Sequence, residues 1–307
     1  MIKSAMTKDE IVDSLYQTGL HEGDVVLVHS AMRTMGHIRG GADTVVKAFI
    51  EVLGDRGTLV VPTFTFAHET EKDPIIDPIN DFSEMGAITE SARNHPQARR
   101  SVAFRHSFAA IGRYAEVITK VDPALSVFDL RSTFGVMLSL DTQVMMIGLT
   151  YASCTSFHFA EWLSQVPYRQ VIDLTVKVRR ANGRIVQQAM IDYQPYSYSG
   201  TQRPDFNRLG KMLEDQRRVT ISSIGNAVAR RVGIRDLISL AQFEAEKDYD
   251  VFRTEEGAAS GTTQLASGKT VVSPLMTDGA GRPDHYEWSV LDVAELSITS
   301  SSSRSRP

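Results

Sequence analysis

A histidine and a carboxylate stand three residues apart in Thr155-Ser-Phe-His158-Phe-Ala-Glu161-Trp162. Residues i and i+3 share a helix face, so the two side chains can meet. The apolar run Val144-Met-Met-Ile-Gly-Leu149 reads as a buried strand. It predicts that His158 lies just past a strand's carboxyl end, at the start of a helix over 156–165. Ligands bind at that edge of open α/β sheets, and a neutral imidazole there can act as a general base. A histidine so placed can equally cap the helix or pack beneath it. The pair also has helical metal-ligand spacing, but no second His or Asp pair accompanies it, which argues for no metal. Cys154 lies four residues before His158. A nucleophilic role would need a lowered thiol pKa and a nearby base; the alternatives are packing or substrate contact.

The segment Ser30-Ala-Met-Arg-Thr-Met-Gly-His-Ile-Arg-Gly-Gly41 is a second candidate. A long, thin, phosphorylated ligand needs backbone N–H groups, small residues for close approach, and a helix N-terminus or cations for its phosphates. This loop offers all three, with Arg33 and Arg39 as cations, although such loops also serve simply as turns. In Pro62-Thr-Phe-Thr, alternation puts the Thr63 and Thr65 hydroxyls on one face, where they could bond a substrate. Threonine also favours strands in its own right.

Five stretches occur in a particular order: Val28-His-Ser30-Ala-Met-Arg33-Thr-Met-Gly36 with Gly40-Gly41; Gly57-Thr-Leu-Val-Val-Pro62-Thr63-Phe-Thr65; Arg100-Ser101 with Ser107-Phe-Ala-Ala-Ile-Gly112; Phe134-Gly135; and Thr155 to Glu161. Over residues 8 to 215 the chain resembles the aminoglycoside 3-N-acetyltransferase superfamily. That resemblance implies acetyl-coenzyme A as co-substrate and direct transfer in a ternary complex, with His158 as general base. It implies a donor site at Ser30, Met32, Arg33, Thr34 and Gly36, with Ser107 as second contact; Met35 and Phe108 fall in the same stretches and join the set. A carboxylate from a later strand is expected to orient the histidine. Asp192 is the first candidate and Glu161 the second. The remaining substrate candidates are Thr63, Thr65, Glu69, Arg105, His106 and Thr155.

The acidic run from Glu69 to Glu84 would suit a polycationic acceptor. The chain departs from the family where Ala103-Phe104 replaces its His-Pro, and where the acidic residues near 190 thin to Asp192. Those departures favour a biosynthetic relative, such as the enzyme that forms a phosphonate antibiotic's hydroxamate from a nucleotide-linked N-hydroxyamine. Arg105 and His106 could then meet an anionic acceptor. The alternatives are a resistance enzyme and a coenzyme A-binding protein without turnover.

The 307 residues, 42% of them hydrophobic, can bury a sizeable core. A net charge of -4 argues against nucleic acid as a partner. No apolar run reaches the ~18 residues of a membrane helix, and the N-terminus lacks a secretory core, so the expectation is a cytoplasmic protein, as a dimer if it oligomerises. The single cysteine excludes an internal disulfide framework.

These residues need elements to carry them. Thr7-Lys-Asp-Glu10 fits a capping box that starts the first helix. Val25 to Val28, a helix over 44–53 and Gly57 to Pro62 form a βαβ unit with a parallel strand pair. Residues 67–86 show no clean period and read as a surface excursion or lid. A helix near 86–94, a strand near 107–111 and a helix near 113–119 follow. Val171 to Val178 and Arg184 to Asp192 flank Ala181-Asn-Gly183 as a hairpin added to the sheet. The expected fold is a three-layer α/β/α domain over 1–250, with a mostly parallel sheet. A low-complexity extension covers 251–307, where Gly261 to Thr270 only superficially resembles a phosphate-binding loop.

Overall fold

The Thr7 capping box is present. Its hydroxyl accepts from the Glu10 N–H, while the Glu10 carboxylate accepts from the Thr7 N–H at 2.7 Å. That cap opens α1 (Lys8–Gln17). The computed structural model describes residues 5–196 and 204–253. The chain continues through β1 (Val25–Ser30), α2 (Gly41–Leu53), β2 (Thr58–Pro62), β3 (Ile75–Ile76), α3 (Ala87–Arg93), β4 (Arg99–Arg100) and β5 (Phe108–Gly112). Then come α4 (Ala115–Thr119), α5 (Thr133–Ser139), β6 (Gln143–Ile147), α6 (Ser156–Leu163), β7 (Arg169–Arg179) and β8 (Ile185–Pro195). The described chain closes with α7 (Asn207–Asp215), β9 (Thr220–Ile224), β10 (Ala227–Gly233) and α8 (Ile234–Ala245).

The central strands read as continuous apolar runs because both their faces are covered. Val25 and Leu27 pack in one core with Phe134, Phe157 and Leu237, on the side of α4 to α8. Val26 and Val28 pack in another with Leu15, Phe49 and Ile88, on the side of α1 to α3. This is the expected three-layer α/β arrangement. The seven-stranded sheet runs β4-β5-β2-β1-β6-β10-β9. β1 is parallel to β2 and β6, as the βαβ pattern requires, with Val25 opposite Thr58 and Val26 opposite Gln143. The outer pairs are antiparallel, so the sheet is mixed and its parallel part is confined to the centre. Apolar periodicity reveals that a strand exists. It carries no information on direction, which depends on where each connection lands.

The hairpin forms, with Gly183 at φ 79 in its turn. It does not extend the central sheet. β7 and β8 make a separate three-stranded sheet with β3, over a small core of Ile76, Val176, Val178 and Met190. The third strand comes from within the 67–86 excursion, where Ile75 pairs with Lys177. That segment is therefore tied down, and the ion pairs of Asp73 with Lys177 and Asp77 with Arg179 reinforce it. At the other end, Val251 and Phe252 are buried, so the packed chain runs past the expected boundary at 250. The glycine-rich lookalike at 261–270 lies outside the described residues.

Phe134-Gly135 earns its small residue on α5. A Cβ on Gly135 would stand 1.8 Å from the Leu130 carbonyl oxygen, which is backbone and cannot swing away. Gly135→Ala is expected to cost ~1–3 kcal/mol through overpacking, measured as a lower midpoint in urea with an unchanged slope.

Candidate active site

α6 starts nine residues after β6 ends, so its first turn stands beyond the carboxyl end of a central strand. His158 lines a cleft of about 710 Å³ there, together with His29, Ser30, Phe64, Glu84 and Arg105. Its Nδ1 lies 2.6 Å from Glu161 Oε2. Arg169 Nη2, a donor only, also lies 3.0 Å from Nδ1, but the shorter contact is to the carboxylate, which can only accept, and it assigns the hydrogen to Nδ1 and the lone pair to Nε2. Glu161 is fully buried. Arg169 Nε stands 2.8 Å from the same carboxylate oxygen, and the Tyr168 hydroxyl donates to the other at 3.0 Å.

Burial disfavours ionised Glu161, yet the Arg169 guanidinium and His158 outweigh it and hold the carboxyl below its usual range. Burial also lowers the pKa of His158, assisted by Arg169 and opposed by Glu161. The imidazole is therefore neutral near pH 7 and can accept a proton. Cys154 is buried in the core, and burial pushes its thiol up to about 12, which excludes a thiolate nucleophile at neutral pH.

Asp192 is not the partner of His158. Its carboxylate is engaged by Arg105, from Nη2 at 3.1 Å and Nε at 3.3 Å, and Arg105 Nη1 also pairs with Glu69 at 2.7 Å. His106 lines the cleft, its ring 4.8 Å from Phe64 and 6.3 Å from His158, and burial drives its pKa well below the ordinary value. Thr155 lines the cleft as well. Thr63 and Thr65 do share a face, and what they meet there is Arg100: Nε donates to Thr63 at 3.1 Å and Nη2 to Thr65 at 3.0 Å. Ser107 joins the same knot, 3.1 Å from Thr63 Oγ1. Thr63 and Ser107 are buried, so these hydroxyls brace the wall behind the cleft.

Of the candidate donor loop, Ser30 reaches the cleft. Met32 to Met35 form a single 3-10 turn in which Arg33 and Thr34 are exposed. Gly36, at φ 90, follows and lines a separate groove of about 380 Å³ beside Glu10 and Asp13. Met35 and Phe108 are buried core residues; Phe108 does not line the cleft, and Met35 borders the groove beside Gly36. Both sit in apolar surroundings that a linear motif does not distinguish from a binding loop.

A family model described as aminoglycoside 3-N-acetyltransferase matches residues 27–244, more than half of the chain. The chain belongs to the aminoglycoside 3-N-acetyltransferase family. The resemblance carried by the five stretches is thus borne out. Relatives in this acyltransferase family include the prophage-derived aminoglycoside N(3')-acetyltransferase-like protein YokD of Bacillus subtilis, 25% identical over 256 residues, covering 77% of this chain and 91% of the relative. Aminoglycoside N(3)-acetyltransferase IV of Salmonella is 26% identical, with 80% and 89% covered. The fold is shared with the solved structure of AAC-IIIb in a binary complex with CoASH, at a TM-score of 0.72 and 21% identity, covering 82% of this chain and 99% of that one.

Sequence reasoning missed Arg169, Tyr168 and Tyr193. The first two lie just past α6, close enough in sequence for a search around Glu161 to have found them. The neutralising role of Arg169 yields a test. In the intact site Glu161 has a lowered pKa, so its stabilising contribution is present above the ordinary 4.5 and is lost as pH falls through the folded value. Arg169→Met strands a buried carboxylate and should cost about 3–5 kcal/mol in urea unfolding at pH 7. The deficit should shrink as acid protonates Glu161.

Proposed function

We propose that this protein is an acetyl-coenzyme A-dependent N-acetyltransferase whose general base is His158, oriented by Glu161, and whose acceptor is a cationic amine of the aminoglycoside kind. The observation that carries this reading is the cleft-lining imidazole with Nδ1 held by a buried carboxylate, in a chain of this family. With donor and acceptor bound together, the reacting amine nitrogen, in its unprotonated form, attacks the thioester carbonyl carbon and its proton passes to His158 Nε2. The C–S bond breaks, coenzyme A leaves as a thiolate and takes up a proton, and an amide remains. Glu161 keeps one tautomer and steadies the imidazolium as it forms. The donor would run from Ser30 across the exposed turn of Arg33 and Thr34 to the N-terminus of α2, where Gly40 and Gly41 leave the backbone open to phosphate.

Charge around the cleft favours a cation. Of the charged residues that line the cleft, Arg105 is matched by Glu69 and Asp192 behind it and Arg169 by the buried Glu161, which leaves Glu84 as the carboxylate that faces the cleft. A nucleotide-linked N-hydroxyamine acceptor relied on Arg105 to attract an anion. That guanidinium spans two carboxylates, so the biosynthetic reading loses its main physical support. Residues 67–86 would act as an acceptor wall, since Phe66, Glu84 and Met85 at its two ends line the cleft.

Thiol release from acetyl-coenzyme A with an amine panel tests the acceptor. We expect 2-deoxystreptamine aminoglycosides to be acetylated with kcat/KM falling as salt rises, because charge attraction is screened beyond ~8 Å at physiological ionic strength. Acetylation confined to anionic amines would overturn the cationic assignment. His158→Ala should lower kcat by ~100-fold or more while leaving coenzyme A affinity intact by calorimetry. Because the His158 pKa is held below its ordinary 6.5, the acid limb of kcat/KM should have its midpoint below that value. Glu161→Gln removes the anion that favours the imidazolium, so its limb should move to still lower pH.

A further inference from the structure

His29 carries an unexplained cost. It is the fifth residue of the central strand β1, and by alternation it shares a face with Val25 and Leu27, the face that packs against α6. Its side chain is 5% exposed, and among the described residues its Nε2 has no hydrogen-bond partner. Buried polar atoms are nearly always paired, and one that is not calls for an explanation. His29 also lines the cleft that holds His158, and a turn of its ring would bring Nε2, now closed off from solvent, to that surface.

We propose that His29 is a further catalytic residue, its Nε2–H donating a hydrogen bond to the thioester carbonyl oxygen of the bound donor as that oxygen gains negative charge. The inference rests on the acyl-transfer reading above and deepens it. No proton is transferred from His29. The electron pair of the C=O bond moves onto oxygen when the amine attacks, the N–H stabilises it, and the pair returns as the C–S bond breaks. A neutral imidazole suits this task because it donates without carrying a full charge. Burial holds the pKa of His29 down at about 4, so it stays neutral throughout the working range. His158 and His29 would thus divide the chemistry, one accepting the amine proton and the other meeting the developing oxyanion.

The test compares wild type, His29→Leu and His29→Gln in thiol release from acetyl-coenzyme A with an accepted amine, and in thermal melting. His29→Leu should lower kcat ~100-fold, the scale for losing one oxyanion donor, with the KM for acetyl-coenzyme A within about threefold of wild type. Its Tm should be unchanged or higher, because an unpartnered buried polar atom has been removed. His29→Gln retains an N–H donor and should keep more activity than His29→Leu. If both variants turn over like wild type, or if His29→Leu loses activity and Tm together, His29 is a packing residue and the inference falls. A wild-type protein that releases no thiol with any amine removes the acyl-transfer reading and this inference with it, an outcome distinguishable from a loss confined to the variants.

Discussion

The site is organised around a single buried negative charge. Glu161 is wholly removed from solvent, and a carboxylate in that position persists only if donors replace the water it has lost. His158 lies against one oxygen and Tyr168 donates to the other, while the Arg169 guanidinium adds an ion pair at 2.8 Å. The need for those three partners fixes how α6 meets the start of β7. It also holds the His158 ring with Nδ1 against Glu161. A rigid electrostatic requirement in the interior thereby becomes a defined ring orientation at the cleft.

Opposed charges are arranged by the same logic through the cleft's walls. Arg105 is clasped by Glu69 and Asp192, linking the excursion to β8. Arg100 donates to Thr63, Thr65 and the Asp81 carbonyl, linking it to the end of β2. His68 is buried against Asp81 at 2.8 Å, and that hydrogen bond, working against burial, raises its pKa. Most of the acidic residues that suggest a free polyanionic lid are spent on these internal contacts. Of that acidic run, Glu84 is exposed and lines the cleft.

Much of the scaffold is legible in the sequence because its signals are local. Thr7 and Glu10 cap a helix by contacts three residues apart, and the apolar runs of β1, β2 and β6 announce strands buried on both faces. His158 with Glu161 is equally local, one turn of α6, and the ordered stretches from Val28 to Glu161 mark the family. The β7–β8 hairpin is legible in its turn, but the antiparallel flanks and the pairing of that hairpin with β3 in a separate sheet are not, because strand direction and edge choice follow from where distant segments land.

Asp192 shows the limit most clearly. By sequence it stands at the end of a strand as well placed as Glu161 to orient a histidine, and only packing reveals that Arg105, 87 residues away, has claimed it. Phe108 and Met35 are buried in the core for a related reason: a motif names residues that matter without saying whether they face a ligand or the core behind it. Residue types and short spacings therefore determined the local pairing in this chain, an imidazole with a carboxylate one turn away. Tertiary structure decided which carboxylate serves it, because burial and long-range ion pairing are properties of neighbours that only the folded chain brings together.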